Sequence, residues 1–102
     1  MPNPIELKLD ANGKGAFVIE DGTKRLAEMT ISIADGNLTV YHTEVADELK
    51  GQGVAAKLLA EMVKYVRENH LKVIALCPYV HAQFKRHPEL YNDIWNQHWH
   101  KK

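Results

Sequence analysis

The segment Lys50-Gly51-Gln52-Gly53-Val54-Ala55 joins a region of β-strand pattern to a region of helical pattern. Glycines at this point allow a sharp backbone turn and a close approach to the unpaired N–H groups of a first helical turn. Such a turn suits an anion such as a phosphate, although the same spacing also serves a plain strand-to-helix turn. The residues that follow predict an amphipathic helix, since apolar positions recur every three or four residues: Val54, Ala55, Leu58, Leu59, Met62, Val63 and Val66.

The residues before this segment have the period of two that is typical of β-strands. Strands are predicted at 5–9, 16–20, 27–33 and 38–45, with turns at Asn12-Gly13, Asp21-Gly22 and Asp35-Gly36. Short glycine turns leave no room for a crossover, so the three strands at 16–20, 27–33 and 38–45 are expected to be antiparallel neighbours in a β-meander.

The residues after the helix predict one more strand and two short helices. The helix is expected to end at Asn69 in a left-handed conformation. The apolar run at 73–77 predicts a strand covered on both faces and parallel to the strand before the glycines. Pro78 opens a helix over about 79–86, and His87-Pro88 separates it from a helix at 89–95. The fold class is therefore α+β, with an α/β-type crossover in the C-terminal half.

Composition bounds the class of protein. The 102 residues predict a single domain over 1–102, and the 13 basic and 13 acidic residues cancel. A neutral chain argues against a general nucleic-acid partner, and no apolar run is long enough for a membrane span. A single cysteine and no signal peptide predict a cytoplasmic protein. No metal site is expected, because the histidines, including His98 and His100, lack acidic or cysteine partners at ligand spacing.

The glycine segment resembles motif A of the GNAT acetyltransferase superfamily, Arg/Gln-x-x-Gly-x-Gly/Ala. Lys50, Gly53 and Ala55 take the marked positions, and Lys50 departs from the usual Arg or Gln but keeps a cation. A larger set of segments, over about residues 15–95, resembles a short single-domain branch, the YjdJ-like proteins: His42-Thr43-Glu44-Val45, Gly51-Gln52-Gly53, Cys77-Pro78-Tyr79-Val80 and Phe84-x-x-His87-Pro88-Glu89-Leu90-Tyr91.

This resemblance implies a compact GNAT-like fold and a small N-acetyltransferase with acetyl-CoA as co-substrate. It places the pyrophosphate of coenzyme A on the backbone amides of residues 51–55. It places the pantetheine arm between the strands at 38–45 and 73–77, where the backbone of Thr43 and Val45 would pair with its amides. The residues implied in cofactor binding are Thr43, Val45, Lys50, Gly51, Gln52, Gly53, Val54, Ala55, Cys77, Tyr79 and Phe84.

Three residues are candidates for the chemistry. Acetyl transfer to an amine needs a base, and Glu44 and His42 share one strand face beside the implied thioester. Each also has a plainer interpretation, as a solvated carboxylate and as a polar groove residue. Cys77 precedes a helix, whose dipole favours a thiolate nucleophile and a covalent route. It could otherwise orient the substrate, or be a small buried residue.

One departure leaves the function open. Many GNAT enzymes protonate the leaving thiolate with a tyrosine in the helix where this chain has Phe84, which leaves Tyr79, Tyr91 or water. The alternative function is a non-catalytic CoA- or acyl-CoA-binding module, and a protein-interaction domain is a third. The short chain lacks helices that cover the acceptor in longer relatives, so the groove is expected to admit a protein amine. The oligomeric state is expected to be a monomer or weak homodimer.

Overall fold

The computed structural model describes residues 4–97. Five strands form one sheet in chain order: β1 Glu6–Leu9, β2 Lys14–Asp21, β3 Lys24–Ala34, β4 Asn37–Val45 and β5 Lys72–Ala75. Strands β1 to β4 are antiparallel, and β5 is parallel to β4. This confirms the α+β class and the crossover. No helix within residues 4–97 is both long enough and apolar enough to cross a membrane. The helical elements are a 3-10 turn Asp47–Leu49, α1 Val54–Glu68, α2 Pro78–Arg86 and α3 Pro88–Tyr91.

The core lies on one face of the sheet. The apolar stripe of α1 is buried there as predicted, and it forms a single cluster with residues of β2 to β5 and of α2. Phe17 of β2 meets Tyr65 of α1 edge to face, with ring centroids 6.0 Å apart. Each fully buried side chain of this size contributes about 1.5–3 kcal/mol to folding. The crossover is therefore held by burial on this face.

The opposite face of the sheet carries no helix in the described part of the chain. Ala16 and Val18 are buried on it, and its other residues are half-buried or exposed. Ion pairs join several of these side chains, such as Lys8 with Glu20 and Arg25 with Glu28. Each such pair contributes about 0–1 kcal/mol to stability, so the pairs add little to the free energy of folding. We call this surface the open face. It is formed by the buried Ala16 and Val18 and by Glu6, Lys8, Glu20, Arg25, Glu28, Thr30, Ser32, Thr39, Tyr41, His42, Glu44, Ile74 and Leu76.

A β-bulge in β4 reverses its alternation. The register of β3 and β4 shifts so that Tyr41 is an extra residue on β4. Before the bulge the even-numbered residues face the core, whereas after it Thr43 and Val45 are on the core side. His42 and Glu44 therefore share the open face, and their side chains are more than half exposed.

Two predictions about β5 and the C-terminal segment are wrong. The strand is covered on one face only, because α1 and α2 pack on the same side of the sheet, and Leu76 is 45% exposed. The last helix ends at Tyr91 rather than 95, because the next residues pair with the outer edge of β5. The N–H of Val73 donates to Ile94 at 2.7 Å and Asn96 donates back at 2.9 Å. This pairing satisfies backbone groups that a longer helix would leave open.

The end of α1 also differs in detail from the prediction. Asn69 has a φ of −108°, and the left-handed residue is His70, with a φ of 56°. The amide side chain of Asn69 instead donates to the carbonyl of Tyr65 at 2.9 Å. The helix thus stops one residue later than a left-handed Asn69 would have set it.

We expect Arg67→Ala to lower the free energy of unfolding by about 1 kcal/mol. Arg67 binds the Asp93 carboxylate at 3.0 Å and the Leu90 carbonyl at 2.7 Å, which ties the C-terminal segment to α1. The hydrogen bond from Arg67 lowers the pKa of Asp93 below its ordinary value of 3.8. The pair therefore stabilises the protein above about pH 4 and loses this effect as acid protonates Asp93.

Urea unfolding at pH 7 and at pH 3 measures both effects. Lys64→Ala, an exposed change on the same helix without a described ion pair, is the matched control. Equal stability of the two variants at pH 7 would show that the Arg67–Asp93 contact contributes nothing.

Candidate functional site

The site begins where β4 and β5 separate. Their parallel pairing ends at Val40 and Ala75. The carbonyl of Val40 then accepts two N–H groups, from Leu76 at 3.0 Å and from Cys77 at 2.8 Å. Beyond this point residues 41–45 pair with β3 alone, and their other edge has no strand partner in the described chain. An extended group with amide donors and acceptors could pair with this free edge.

The glycine loop forms the wall of the site next to this edge. Gly51 and Gly53 have φ values of 85° and 71°, a left-handed conformation that side chains with a Cβ rarely adopt. A Cβ at either position would meet no atom within 4 Å. The glycines are therefore needed for the backbone conformation, and the space over the loop is open.

The first turn of α1 presents free amides to this space. Gly53 is the N-cap, no side chain caps the helix, and the first turn has no acidic residue. The carbonyl of Gly53 accepts from Lys57 at 3.1 Å, but the N–H groups of Val54, Ala55 and Ala56 have no acceptor among the described residues. Unpaired amides at the positive end of a helix dipole are suited to a phosphate group.

A first cavity of about 280 Å³ lies over these amides. Tyr79 borders it from α2, and burial raises the pKa of its phenol above the ordinary value of 10.0. Lys50 also borders it and pairs with Asp47 at 3.1 Å, with both side chains exposed. The lining residues are Val45, Leu49, Lys50, Gly51, Gly53, Val54, Ala55, Ala56 and Tyr79.

Cys77 lies at the inner end of the gap that opens where β4 and β5 separate. It is the N-cap of α2 and only 2% exposed. Its Sγ lies 3.3 Å from Oγ1 of Thr43, within hydrogen-bond distance across the gap between β4 and α2. The bulge in β4 makes this contact possible, because it turns Thr43 to the core side. A group entering the gap would meet this thiol and hydroxyl together.

A second cavity, of about 630 Å³, lies at the C-terminal end of β4. Glu44 lines it, and its Oε2 lies 3.3 Å from Nε2 of His42 on the same face. The two cavities share Val45 and Lys50, so they are adjacent. The lining residues are Arg25, Leu26, Ala27, Glu28, Thr43, Glu44, Val45, Ala46, Asp47 and Lys50.

The structure does not bring all the predicted residues into these cavities. Phe84 is fully buried in the core, stacked on Tyr91 with ring centroids 4.7 Å apart. Gln52 is exposed, and its side chain donates to the Glu48 carbonyl at 3.3 Å. Within residues 4–97, no group of three or more His, Cys, Asp or Glu side chains could hold a metal ion.

Sequence reasoning missed the contribution of β3. Arg25 and Glu28 line the second cavity although they precede the glycine loop by more than twenty residues. The register places Glu28 directly opposite Glu44. The hairpin turn at Asp35-Gly36 fixes that register only together with the bulge at Tyr41, and the sequence carries no separate signal for the bulge.

The chain matches known proteins over most of its length. The family model described as GCN5-related N-acetyl-transferase matches residues 16–94. The chain belongs to this family. A solution NMR structure of a GCN5-like N-acetyltransferase candidate from Staphylococcus aureus has 36% sequence identity and a TM-score of 0.67, covering 99% of this chain and 100% of that one. The resemblance to the GNAT superfamily is thereby confirmed, while the narrower YjdJ-like branch stays a prediction.

More distant structures share the fold. The ribosomal-protein-S18-alanine N-acetyltransferase from Escherichia coli has a TM-score of 0.60 at 13% identity, covering 79% of this chain and 54% of that one. AAC(6')-Iy, in complex with the bisubstrate analog CoA-S-monomethyl-acetylneamine, has a TM-score of 0.50 at 14% identity, covering 90% and 71%. No curated protein matches the chain significantly.

We expect a thiol reagent such as a maleimide to label Cys77 at least about 100-fold more slowly in the native protein than in urea. The reason is the burial of the thiol between β4 and α2. Mass spectrometry of a labelling time course measures both rates. Equal rates would mean that the gap opens freely without a ligand.

Proposed function

We propose that this chain is an acetyl-CoA-dependent N-acetyltransferase. The observation that carries the proposal is the uncapped first turn of α1, which opens onto a cavity beside an unpaired strand edge. A pyrophosphate and an extended chain of amides are the two features of coenzyme A that these surfaces suit. Membership of the family supports the same assignment.

Coenzyme A would bind along two surfaces, first the amides at the start of α1 and then the free edge of β4. The pyrophosphate lies over the amides of Gly51 to Ala55, and Lys50 adds a cation at the entrance of the first cavity. The pantetheine arm runs along the free edge of β4, paired with the backbone of Thr43 and Val45. Tyr79 borders this path from α2. Phe84, buried in the core, would support the floor of the site by packing.

The acetyl group would then lie between Cys77 and the second cavity. Glu44 lines that cavity, and His42 contacts Glu44 at 3.3 Å without lining the cavity itself. We assign these two residues to accept the proton that the amine loses. The amine nitrogen attacks the carbonyl carbon, the new C–N bond forms, the C–S bond breaks, and the thiolate takes up a proton.

In a two-step version of this transfer, which we propose for this chain, Cys77 would form a covalent intermediate. Its sulfur attacks the acetyl carbon of acetyl-CoA, coenzyme A leaves with the thiol proton, and the amine then takes the acetyl group from Cys77. The position of the thiol at the start of α2 and beside the Thr43 hydroxyl supports this route. Direct transfer from acetyl-CoA to the amine is the competing route.

We expect Gly53→Ala to weaken acetyl-CoA binding by at least about tenfold, because its methyl group occupies the space over the α1 amides and disfavours the left-handed backbone. Gly36→Ala is the matched control. It also has a positive φ, 80°, and open space around a Cβ, but it lies in a hairpin turn away from the cavity.

Calorimetric titration with acetyl-CoA compares the two variants with the unchanged protein. Both substitutions should lower stability by a similar amount of about 1 kcal/mol, and only Gly53→Ala should lose affinity. Absence of binding to the unchanged protein would contradict the proposal. Binding without turnover of any amine would instead favour the non-catalytic binding module.

We expect an acetyl group on Cys77 when the protein is incubated with acetyl-CoA and no amine. Cys77→Ala should abolish this adduct and lower turnover by at least about 100-fold, whereas its affinity for acetyl-CoA should change little. Intact-protein mass spectrometry detects the adduct. Unchanged turnover in Cys77→Ala would remove the residue from the mechanism and leave direct transfer.

A further inference from the structure

Strand β1 lies at one edge of the sheet, and no strand within residues 4–97 pairs with its outer side. The N–H of Asp10 donates to the carbonyl of Lys14 at 2.8 Å, so it points toward β2. Backbone groups alternate in direction along an antiparallel strand, so the other even-numbered residues of β1 also bond to β2. The N–H and C=O groups of Ile5, Leu7 and Leu9 therefore point outward, where a further strand could use them.

The side chains at this edge form an apolar row and a charged row. Leu7 pairs with Phe17, so the odd-numbered residues are on the core side of the sheet. Ile5 and Leu7 are half-buried against the core, whereas Leu9 is exposed. Ile5 and Leu7 also border a cavity of about 110 Å³ between β1 and α1. The helices thus leave apolar surface uncovered along this edge.

The charged row consists of Glu6 and Lys8, which are exposed on the open face. Nζ of Lys8 lies 2.7 Å from a carboxylate oxygen of Glu20. Glu6 has no basic side chain within ion-pair distance among residues 4–97. Charges on an edge strand usually oppose pairing with another strand, but they favour it where each charge meets its opposite.

Two copies of β1 can pair favourably in one register. An antiparallel pair must place odd-numbered residues opposite odd-numbered residues, because only their backbone groups point outward. With Leu7 opposite Leu7 of a second copy, Glu6 of each copy lies opposite Lys8 of the other. A shift of two residues in either direction places Glu6 opposite Glu6 or Lys8 opposite Lys8. Like charges directly opposite destabilise a strand pair, so the edge is complementary to itself in the first register alone.

We propose that this protein forms a homodimer in which two copies of β1 pair antiparallel about a two-fold axis at Leu7. Leu7 exchanges both backbone hydrogen bonds with its counterpart, and Ile5 of each copy does so with Leu9 of the other. Glu6 and Lys8 face each other at the closely spaced positions of the ladder, where side chains interact most strongly. The apolar rows of the two copies meet on the core side, beside the cavity between β1 and α1.

The dimer leaves the candidate site accessible. The sheet order places β2 and β3 between β1 and the gap at β4, so the two gaps lie at the outer ends of one continuous sheet. The proposal is therefore independent of the proposed function. The interface is short, and short interfaces are weak, so we expect a Kd of about 10–100 μM. Sedimentation equilibrium at protein concentrations from about 1 μM to 1 mM measures it.

Charge reversal on β1 tests the register. Glu6→Lys and Lys8→Glu each place like charges opposite each other on both sides of the axis, so each should weaken the dimer by at least about tenfold. An equimolar mixture of the two variants should form a heterodimer, because lysines of one copy then face glutamates of the other. Lys24→Glu is the matched control. It makes the same change and also loses one exposed ion pair, with Glu48, but it lies in β3.

Circular dichroism first establishes that each variant is folded. Glu6→Lys breaks no ion pair of the described chain, so the test stands even if Lys8→Glu does not fold. A unchanged protein that is monomeric up to about 1 mM would overturn the proposal. A dimer that is as stable in Glu6→Lys as in the unchanged protein would overturn it, as would a mixture of two folded variants that stays monomeric. Equal weakening by Lys24→Glu would also overturn it, because the effect would then follow net charge rather than β1.

Discussion

The site depends on one backbone carbonyl, that of Val40, which accepts the N–H groups of both Leu76 and Cys77. Up to this carbonyl β4 and β5 are a regular parallel pair, and after it the two chains part. A parallel neighbour that continued further would have satisfied the edge of residues 41–45. Instead that edge stays open, α2 starts at Pro78, and Cys77 is held at the inner end of the gap. Strand pairing thus ends where the candidate chemistry begins.

Within residues 4–97, helices cover only one face of the sheet. A single core of about this size can be covered by α1 and α2 on one face, and no further helix within residues 4–97 is left for the other. On the uncovered face, a chain of ion pairs joins Lys8 to Glu20 at 2.7 Å and Glu20 to Arg25 at 2.9 Å. Glu44 lies outside this chain of pairs. It contacts the imidazole of His42 at 3.3 Å and lies exposed beside the site.

The sequence predicts the elements well where a local rule decides them. The period of α1 and the glycine turns of the meander were sufficient, because helical amphipathicity and hairpin geometry are short-range properties. The bulge at Tyr41 was not predictable, since it depends on the register in which β3 and β4 pair. The burial of Phe84 and the pairing of Trp95 with Val73 are tertiary outcomes of the same kind. The spacing of the glycines was enough to identify the residues of the glycine loop as site residues. Arg25 and Glu28 could be assigned to the second cavity only once the register of β3 and β4 was known.

The bulge also separates two tasks within one strand. Without the extra residue, the side chains at 42 and 44 would share the core side with Leu38, and Thr43 would face solvent. With it, Thr43 reaches Cys77 at 3.3 Å on the inner side, while Glu44 faces outward. A cofactor arm along the edge of β4 would then have a thiol and hydroxyl on one side and a carboxylate on the other. Group transfer across a strand needs this arrangement, because the donor and the acceptor must reach one carbon atom from different directions.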